Sequence, residues 1–469
     1  MHTFFRSKLG SLSHKLGLDS ALIFGILTKV WGAFSGIANI VLIGIFLTRP
    51  EQGYYYTFSS LLALNVFVEM GLTSVLSNFA AHEFVHLHWG PSGELRGNDP
   101  ALQRVLALLV GSTSWFIMLG GAFAVLLAPT GALFLLDAAA RHQTEVSVPL
   151  AAWCGPWLAA VGTATFSLAL GPFVAILNGS GDVSNMNRVL LLGRIAGTAI
   201  AWISMFAGQG LYAVALVPLG SIISVTYYIV THRHGLLSQT LSIYRTPGSP
   251  RTYRIAMRRE IWPMQWRIAI SWMAGFLIFQ LFNPLLFYYR GPVAAGQFGI
   301  TLSAANTALG VGVTWFLVKI PDFGRLVATK SWAVLDRTFA RSMGGALLST
   351  AGSGLALLSL LAVLAGHNAL ASRFLPVAAS AVLLLAIIMS VAVDGFAIYL
   401  RAHKKEPLMA GSVLVGTLQA ILSWWAVRRF GAFGIACSFA GIYAFLALPG
   451  TWLIWHTKRR EWHTEGAAE

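Results

Sequence analysis

Long apolar runs recur along the whole chain and constrain its fold more than any other feature. A helix needs about 20 residues to cross the hydrocarbon core of a bilayer, and runs of this length follow one another with only short polar segments between them. Charged residues make up only 10% of the chain and the mean hydropathy is +0.70, which excludes a soluble globular protein. We therefore predict an all-α, polytopic membrane protein. Its twelve predicted spans are 21–47, 54–81, 101–127, 149–176, 187–207, 210–231, 263–289, 292–318, 340–365, 375–400, 407–427 and 431–455.

Lys and Arg are distributed unevenly between the predicted loops. Of the 32 Lys and Arg, 23 lie at the two ends of the chain and in the loops after even-numbered spans or within a few residues of them. Because basic loops stay in the cytoplasm, both termini are predicted to be cytoplasmic. This topology accounts for the net charge of +15 without nucleic acid, and the basic loops face anionic membrane lipids instead. Six cations lie on the opposite side: Arg49, Arg141, Arg290, Arg373, Arg428 and Arg429.

The longest polar stretch divides the chain into two halves of six spans each. Three short segments recur in the same order in both halves, which indicates a duplicated unit of the kind found in alternating-access transporters. An even number of spans precedes the second copy, so the copies share one orientation and are related by a pseudo-two-fold axis along the membrane normal. The matched segments begin at Gly53 and Gly296, at Gly171 and Gly395, and at Gly210 and Gly431. The predicted domains are a cytoplasmic interfacial segment (1–20), an N-terminal lobe (21–231), a basic cytoplasmic linker (232–262), a C-terminal lobe (263–455) and a cytoplasmic tail (456–469).

The segment HEFVH, residues 82–86, matches the H-E-x-x-H pattern of zinc proteases. On a helix its two histidines could hold zinc, with Glu83 as the general base. An intramembrane zinc protease would complete the site from Asp394-Gly395. However, the metzincin extension is missing, the segment lies at the cytoplasmic end of its span, and a protease does not explain twelve duplicated helices. We therefore interpret His82 and Glu83 as interfacial residues and keep the protease as a distant alternative.

Ionisable residues within the spans are the more informative candidates, because each is costly in hydrocarbon and by default faces a cavity or a partner. Lys29 and Arg267 occupy the first spans of the two halves, so they would face one central cavity suited to an anionic substrate. Either residue could instead reach the membrane surface through its long side chain, and the same holds for Arg194. Glu69 and Asp394 have two open roles, which are ion coupling and structural pairing with a neighbouring cation.

Two further features concern the packing and bending of the spans. Asn283-Pro284 lies deep in the seventh span, where the missing N–H of proline predicts a kink. This kink serves either gating or static packing. Gly71, Ser74 and Asn78 line one face of the second span, which is typical of contacts between membrane helices.

Several stretches resemble bacterial polysaccharide flippases, including the O-antigen flippases, of the multidrug/oligosaccharidyl-lipid/polysaccharide (MOP) superfamily. The likeness covers nearly the whole chain and is one of pattern, since this family carries no catalytic motif of high specificity. The resemblance also implies that His82-Glu83 belong to an ending of the second span that recurs in this family. The stretches are PEQGYY (50–55), EMGL (69–72), FAAHE (79–83), EIWPMQWR (260–267), GP (291–292) and AGQFG (295–299).

The resemblance implies a MATE-like bundle of two pseudo-symmetric six-helix lobes around a cationic cavity. It implies a transporter that flips an undecaprenyl-diphosphate-linked oligosaccharide across the bacterial inner membrane, with no catalytic residue, metal or cofactor. Lys29 and Arg267, with Arg194 behind them, are then candidates for the diphosphate, while Glu69 and Asp394 are candidates for H⁺ or Na⁺ coupling. Polysaccharide polymerase or assembly proteins are the expected protein partners. A cation-coupled multidrug antiporter of the same superfamily is the alternative.

Overall fold

The computed structural model describes residues 20–142, 148–245, 262–364, 370–403 and 405–465. The predicted interfacial segment, except its last residue, and residues 246–261 of the predicted linker lie outside this part of the chain. The α-helices are α1 (Ser20–Phe46), α2 (Arg49–Leu62), α3 (Val66–Glu69), α4 (Leu72–Glu83), α5 (Asp99–Arg141), α6 (Leu150–Gly179), α7 (Val183–Phe206), α8 (Ala213–His232), α9 (His234–Arg245), α10 (Trp262–Phe279), α11 (Phe282–Leu317), α12 (Ile320–Ala328), α13 (Trp332–Leu364), α14 (Val377–Ala402), α15 (Met409–Ile442) and α16 (Leu448–Glu465). Short elements complete the list: β1 (Leu87–Trp89), β2 (Leu95–Gly97), four 3₁₀ turns (Ala63–Asn65, Phe84–His86, Gly210–Tyr212 and Ala371–Arg373) and one π-helical turn (Tyr443–Ala447).

The described helices agree with the predicted number of spans. Nine stretches are long and apolar enough to cross a membrane, and the bent pair Arg49–Glu69 and Leu72–His86 adds a tenth. Two of the nine stretches each join two helices across a residue with non-helical torsions, Gly291 and Gly431. Division at these glycines gives twelve candidate spans within the described residues. Both glycines lie at boundaries that the sequence predicts, between spans 7 and 8 and between spans 11 and 12.

The helix of the third predicted span, α5, is longer than the sequence predicts. The apolar run ends at residue 127 and suggests a loop over 128–148, but α5 continues to Arg141 with Pro129 inside it. The extension is rich in Ala and Leu, which favour helix, and Arg141 donates to Asp137 one turn earlier at 3.0 Å. The boundary prediction was wrong because it followed hydropathy alone.

The chain forms two compact units, and the first contains the hairpin of β1 and β2. This unit consists of Met1–Ser35, Asn65–Thr130 and Cys154–Ala269. Leu87 and Leu95 of the hairpin are buried in a core with Leu236 of α9, and the Gln239 side chain both donates to and accepts from the Leu95 backbone. The hairpin is therefore fixed to the start of the described part of the linker.

The second unit is organised around the crossing of α2 and α11. It consists of Gly36–Leu64, Gly131–Trp153 and Ile270–Glu469. A Cβ placed on Gly296 would lie 2.9 Å from the backbone nitrogen of Gly53, and the Gln52 side chain donates to the Gly296 carbonyl at 2.7 Å. Gly53 and Gly296 are equivalent residues of the predicted repeat, so this contact lies where a pseudo-two-fold axis would pass. The lobe boundaries drawn from the sequence stay a prediction.

Replacement of Gly53 by Ala tests the close crossing. The added Cβ would collide with the backbone of Pro292. Because overpacking typically costs about 1–3 kcal/mol, we expect the free energy of unfolding to fall by this amount. A lower thermal midpoint of the detergent-solubilised protein would report this loss. Gly310→Ala in α11 is the matched control, because no described atom lies within 4 Å of its Cβ position. An equal loss in both variants would contradict the crossing.

Candidate functional site

The second predicted span is broken in its middle, next to Glu69. Helix α3 ends at Glu69, and both Met70 (φ 47°) and Gly71 (φ 71°) have left-handed backbone torsions before α4 begins. The two parts of the span are bent by 43°. Met70 carries a side chain in a conformation that glycine adopts more readily, so the break is maintained against local preference. Broken membrane helices line substrate and ion sites in transporters.

A polar cleft begins one turn beyond this break. It is an open cleft with a volume of about 350 Å³ and lies between α4 and α6. The Thr73 hydroxyl donates to the Glu69 carboxylate, which joins the acid to the cleft. Hydroxyl and amide groups at this place can hydrogen-bond a polar, uncharged group such as a sugar. The cleft is lined by Thr73, Ser74, Ser77, Asn78, Val174, Ala175 and Asn178.

Lys29 and Arg194 lie on two helices of the first unit that are in contact. Trp31 of α1 and Trp202 of α7 have ring centroids 6.1 Å apart. A Cβ placed on Gly25 of α1 would lie 4.0 Å from the side-chain amide of Asn187 in α7. Lys29 follows Gly25 by one helical turn, and Arg194 follows Asn187 by two. Both cations are exposed. Within the described residues, neither side chain forms a salt bridge or a hydrogen bond, so both charges are available to a ligand.

The third candidate cation, Arg267, is placed only by its backbone. It belongs to α10 (Trp262–Phe279), and its side chain lies outside the described part of the structure. The expectation that it faces a cavity together with Lys29 stays a prediction.

Asp394 lies in α14 beside the π-helical turn of the last predicted span. It is half-buried, and its carboxylate makes no salt bridge or hydrogen bond to the described residues. The Tyr443 hydroxyl lies near both Asp394 and Ser390. Isolated π-helical turns are frequent at functional sites. An acid of this kind within a membrane helix is suited to bind and release a proton or a small cation.

In the structure, the helix of the seventh predicted span is broken close to Asn283-Pro284. Helix α10 ends at Phe279 and α11 begins at Phe282, so Pro284 lies in the first turn, where its missing N–H costs no hydrogen bond. The buried Asn283 amide donates to the Ser60 hydroxyl at 3.2 Å. Its carbonyl oxygen is buried without a partner among the described residues. The predicted kink is present as a break, whereas its role in gating is untested.

The HEFVH segment is not a continuous α-helix. Helix α4 ends at Glu83, and Phe84–His86 form a 3₁₀ turn that leads into β1. Glu83 accepts from Arg104 at 3.2 Å. Among the residues that the structure describes, no group of three or more His, Cys, Asp or Glu could hold a metal ion. The arrangement fits the interfacial interpretation of these residues.

Sequence reasoning missed most of the polar cleft. It noted Ser74 and Asn78 as a packing face, but Thr73, Ser77 and Asn178 were not singled out. The repeated Ser, Thr and Asn between 73 and 78 could have indicated a polar face. No local pattern could have paired that face with Asn178 of α6.

The sequence matches no protein family model and no curated protein. Several solved structures are nevertheless similar over almost the entire chain. One is "Lipid II flippase MurJ, inward closed conformation", with a TM-score of 0.63 and 13% identity, covering 92% of this chain and 86% of that one. Another is "MATE multidrug transporter DinF-BH in complex with R6G", with a TM-score of 0.61 and 15% identity, covering 94% and 95%.

A third similar structure is the inward-facing form of a multidrug resistance MATE family transporter of the MOP superfamily. Its TM-score is 0.56 and its identity 12%, covering 92% of this chain and 99% of that one. The predicted all-α, MATE-like multi-pass fold is thus confirmed, while the cytoplasmic location of the termini and the polysaccharide flippase family stay predictions. The chain has the multi-pass helical fold found in the lipid II flippase MurJ and the MATE transporters of the MOP superfamily.

Proposed function

We propose that this protein is a transporter that flips an undecaprenyl-diphosphate-linked oligosaccharide across the bacterial inner membrane by alternating access, for surface polysaccharide biosynthesis. The observation that supports this function best is the pair of cations Lys29 and Arg194, which lie in apolar helices without an acidic partner among the described residues. Unpaired cations within a membrane span are costly. A diphosphate offers the oxygens and charge that such cations bind.

The polar cleft supports the same proposal, because its side chains suit the sugar part of the substrate. Sugars present many hydroxyl groups, and each must exchange its water for a protein partner when it enters the membrane. The hydroxyl and amide groups of Thr73, Ser77, Asn78 and Asn178 supply such partners in the same unit as Lys29 and Arg194. A hydrophobic drug would have no need of them.

A cation-coupled multidrug antiporter is the second candidate, favoured by a different observation. Glu69 and Asp394 are acids within the spans, and antiporters of this architecture are expected to use acidic, aromatic cavities. Similar structures include both a flippase and multidrug transporters, so fold alone does not choose between them. Proton or sodium coupling fits either function, and protein partners in polysaccharide assembly belong only to the first.

Deletion of the gene separates these functions in cells. A flippase mutant should accumulate lipid-linked oligosaccharide in the cytoplasmic leaflet and lose surface glycan, because the polymerising enzymes no longer receive their substrate. An antiporter mutant should change drug susceptibility and keep its glycan. Complementation with Glu83→Gln should restore the glycan fully, since this substitution would inactivate only a zinc protease. Unchanged glycan in the deletion strain would refute the flippase proposal.

Removal of either cation should impair translocation of the lipid in proteoliposomes. We expect Lys29→Gln and Arg194→Gln each to lower the initial rate about tenfold or more, because hydrogen bonds to charged groups contribute about 1.5–3 kcal/mol. Lys29→Arg keeps the charge and should retain most of the activity. Arg96→Gln is the matched control, since it removes a cation from the hairpin, where Arg96 pairs with Glu94. Equal losses in Arg96→Gln would show a general charge effect instead.

Substitution of Asp394 tests ion coupling. Asp394→Asn removes the titratable group and keeps the shape of the side chain, so the transport rate under a proton or sodium gradient should fall to the rate measured without a gradient. Substrate binding at equilibrium should stay within about twofold, since Asp394 is not proposed to touch the substrate. Glu406→Gln is the control, because Glu406 is exposed and pairs with Arg401. Full gradient stimulation in Asp394→Asn would exclude this residue from coupling.

A further inference from the structure

Two arginines distant in sequence come together in the second unit, at the start of α2 and in the 3₁₀ turn Ala371–Arg373. Arg49 donates to the Ser372 hydroxyl, and Arg373 follows that serine directly. Because Arg49 contacts Ser372 and Arg373 is the next residue, the two arginines lie at one corner of the unit, and the positive charge of Arg49 lowers the pKa of Arg373. Both belong to the six cations that the sequence predicts on the side opposite the termini.

The turn that carries Arg373 is held in place without its guanidinium. The Gln52 side chain donates to the Arg373 carbonyl at 3.0 Å, and the Gln297 side chain donates to the Ser372 carbonyl at 2.9 Å. The backbone nitrogen of Leu375 donates to the Thr301 hydroxyl at 3.0 Å. None of these contacts among the described residues uses the Arg373 guanidinium, which can therefore serve a ligand from a fixed backbone position.

The charge at this place is not balanced by the described residues. The Nη1 atom of Arg373 is buried without a hydrogen-bond partner, and its guanidinium forms no salt bridge there. Burial and the neighbouring Arg49 lower the pKa of Arg373, and the nearby Glu51 only partly opposes this effect. The Glu51 carboxylate is already engaged, because it accepts from the Thr48 backbone and hydroxyl at 2.8 Å each to cap α2.

A buried, unpartnered donor on a charged group is rare in native proteins and indicates a missing water or ion. Guanidinium groups suit phosphate, since each can form two parallel hydrogen bonds to its oxygens. Arg49 is exposed, so a ligand can enter from the membrane surface while Arg373 holds it from within.

We propose that Arg49 and Arg373 form a binding site for the phosphate oxygens of a diphosphate, on the face of the membrane opposite the termini. The ligand is either the head group of a lipid diphosphate or free inorganic pyrophosphate. In its lipid form the inference rests on the proposed function, because a flipped diphosphate lipid arrives at this face. The site would then receive the head group after translocation, separately from Lys29 and Arg194.

The test measures binding to the full-length protein in nanodiscs of zwitterionic phospholipid. One arm titrates inorganic pyrophosphate, and the other adds a polyprenyl diphosphate to the nanodisc and measures its competition with pyrophosphate. Arg373→Gln and Arg49→Gln should each weaken binding about tenfold or more, whereas Arg373→Lys should lose less. Arg141→Gln is the matched control, because it removes another cation predicted on the same face, one that pairs with Asp137. It should bind as the wild type does.

The outcomes distinguish the ligand sources and separate this site from the proposed function. Binding of both probes with mutual competition supports a site for the lipid head group, and binding of pyrophosphate alone supports a site for free pyrophosphate. Equal affinity in Arg373→Gln, Arg49→Gln and wild type overturns the proposal, as does the absence of binding by either probe. Arginine-dependent pyrophosphate binding in a protein that does not translocate the lipid would keep the site and refute the flippase.

Discussion

The crossing of α2 and α11 is the contact on which the second unit depends. Gly53 and Gly296 let the two backbones approach so closely that any side chain would interfere, and small residues play this role wherever membrane helices pack. Residues related by a two-fold axis touch each other only at the axis, so the predicted repeat places its smallest residues there. Helix α2 also carries Arg49, Gln52 and Ser60, which reach the 3₁₀ turn and Asn283. The geometry of both regions follows from this crossing.

Three polar side chains of the spans lie at or beside interruptions of the helices. Glu69 precedes the left-handed Met70-Gly71, Asn283 follows the end of α10, and Asp394 lies beside the π-helical turn Tyr443–Ala447. Within a bilayer, irregular backbone is tolerated only where protein or a water-filled cavity satisfies its polar groups. A break therefore creates the polar surroundings that an ionisable side chain needs, and the two features occur together for one physical reason.

The sequence predicted the spans well and the contacts between them poorly. Hydropathy, with boundaries near the glycines at 291 and 431, predicted the number of spans. The bilayer sets the length of a span, and each apolar run of this length can be recognised from its own residues. The extension of α5 to Arg141 was missed because propensity and an ion pair continue a helix after hydropathy ends. The polar cleft and the meeting of Arg49 with Arg373 were missed for a different reason. Each joins residues from separate helices, more than 300 positions apart in the case of Arg49 and Ser372.

The Arg49–Arg373 pair affects how the stability of the protein differs with and without a bound anion. A charged donor buried without a partner destabilises the free protein by several kcal/mol at most, and Gln52 and Gln297 already fix the turn that holds it. Glutamine at position 373 would avoid that cost. Arginine is consistent with a state in which an anion supplies the missing partner, and binding then favours that state by mass action, about 2.7 kcal/mol at a ligand concentration of 100 Kd.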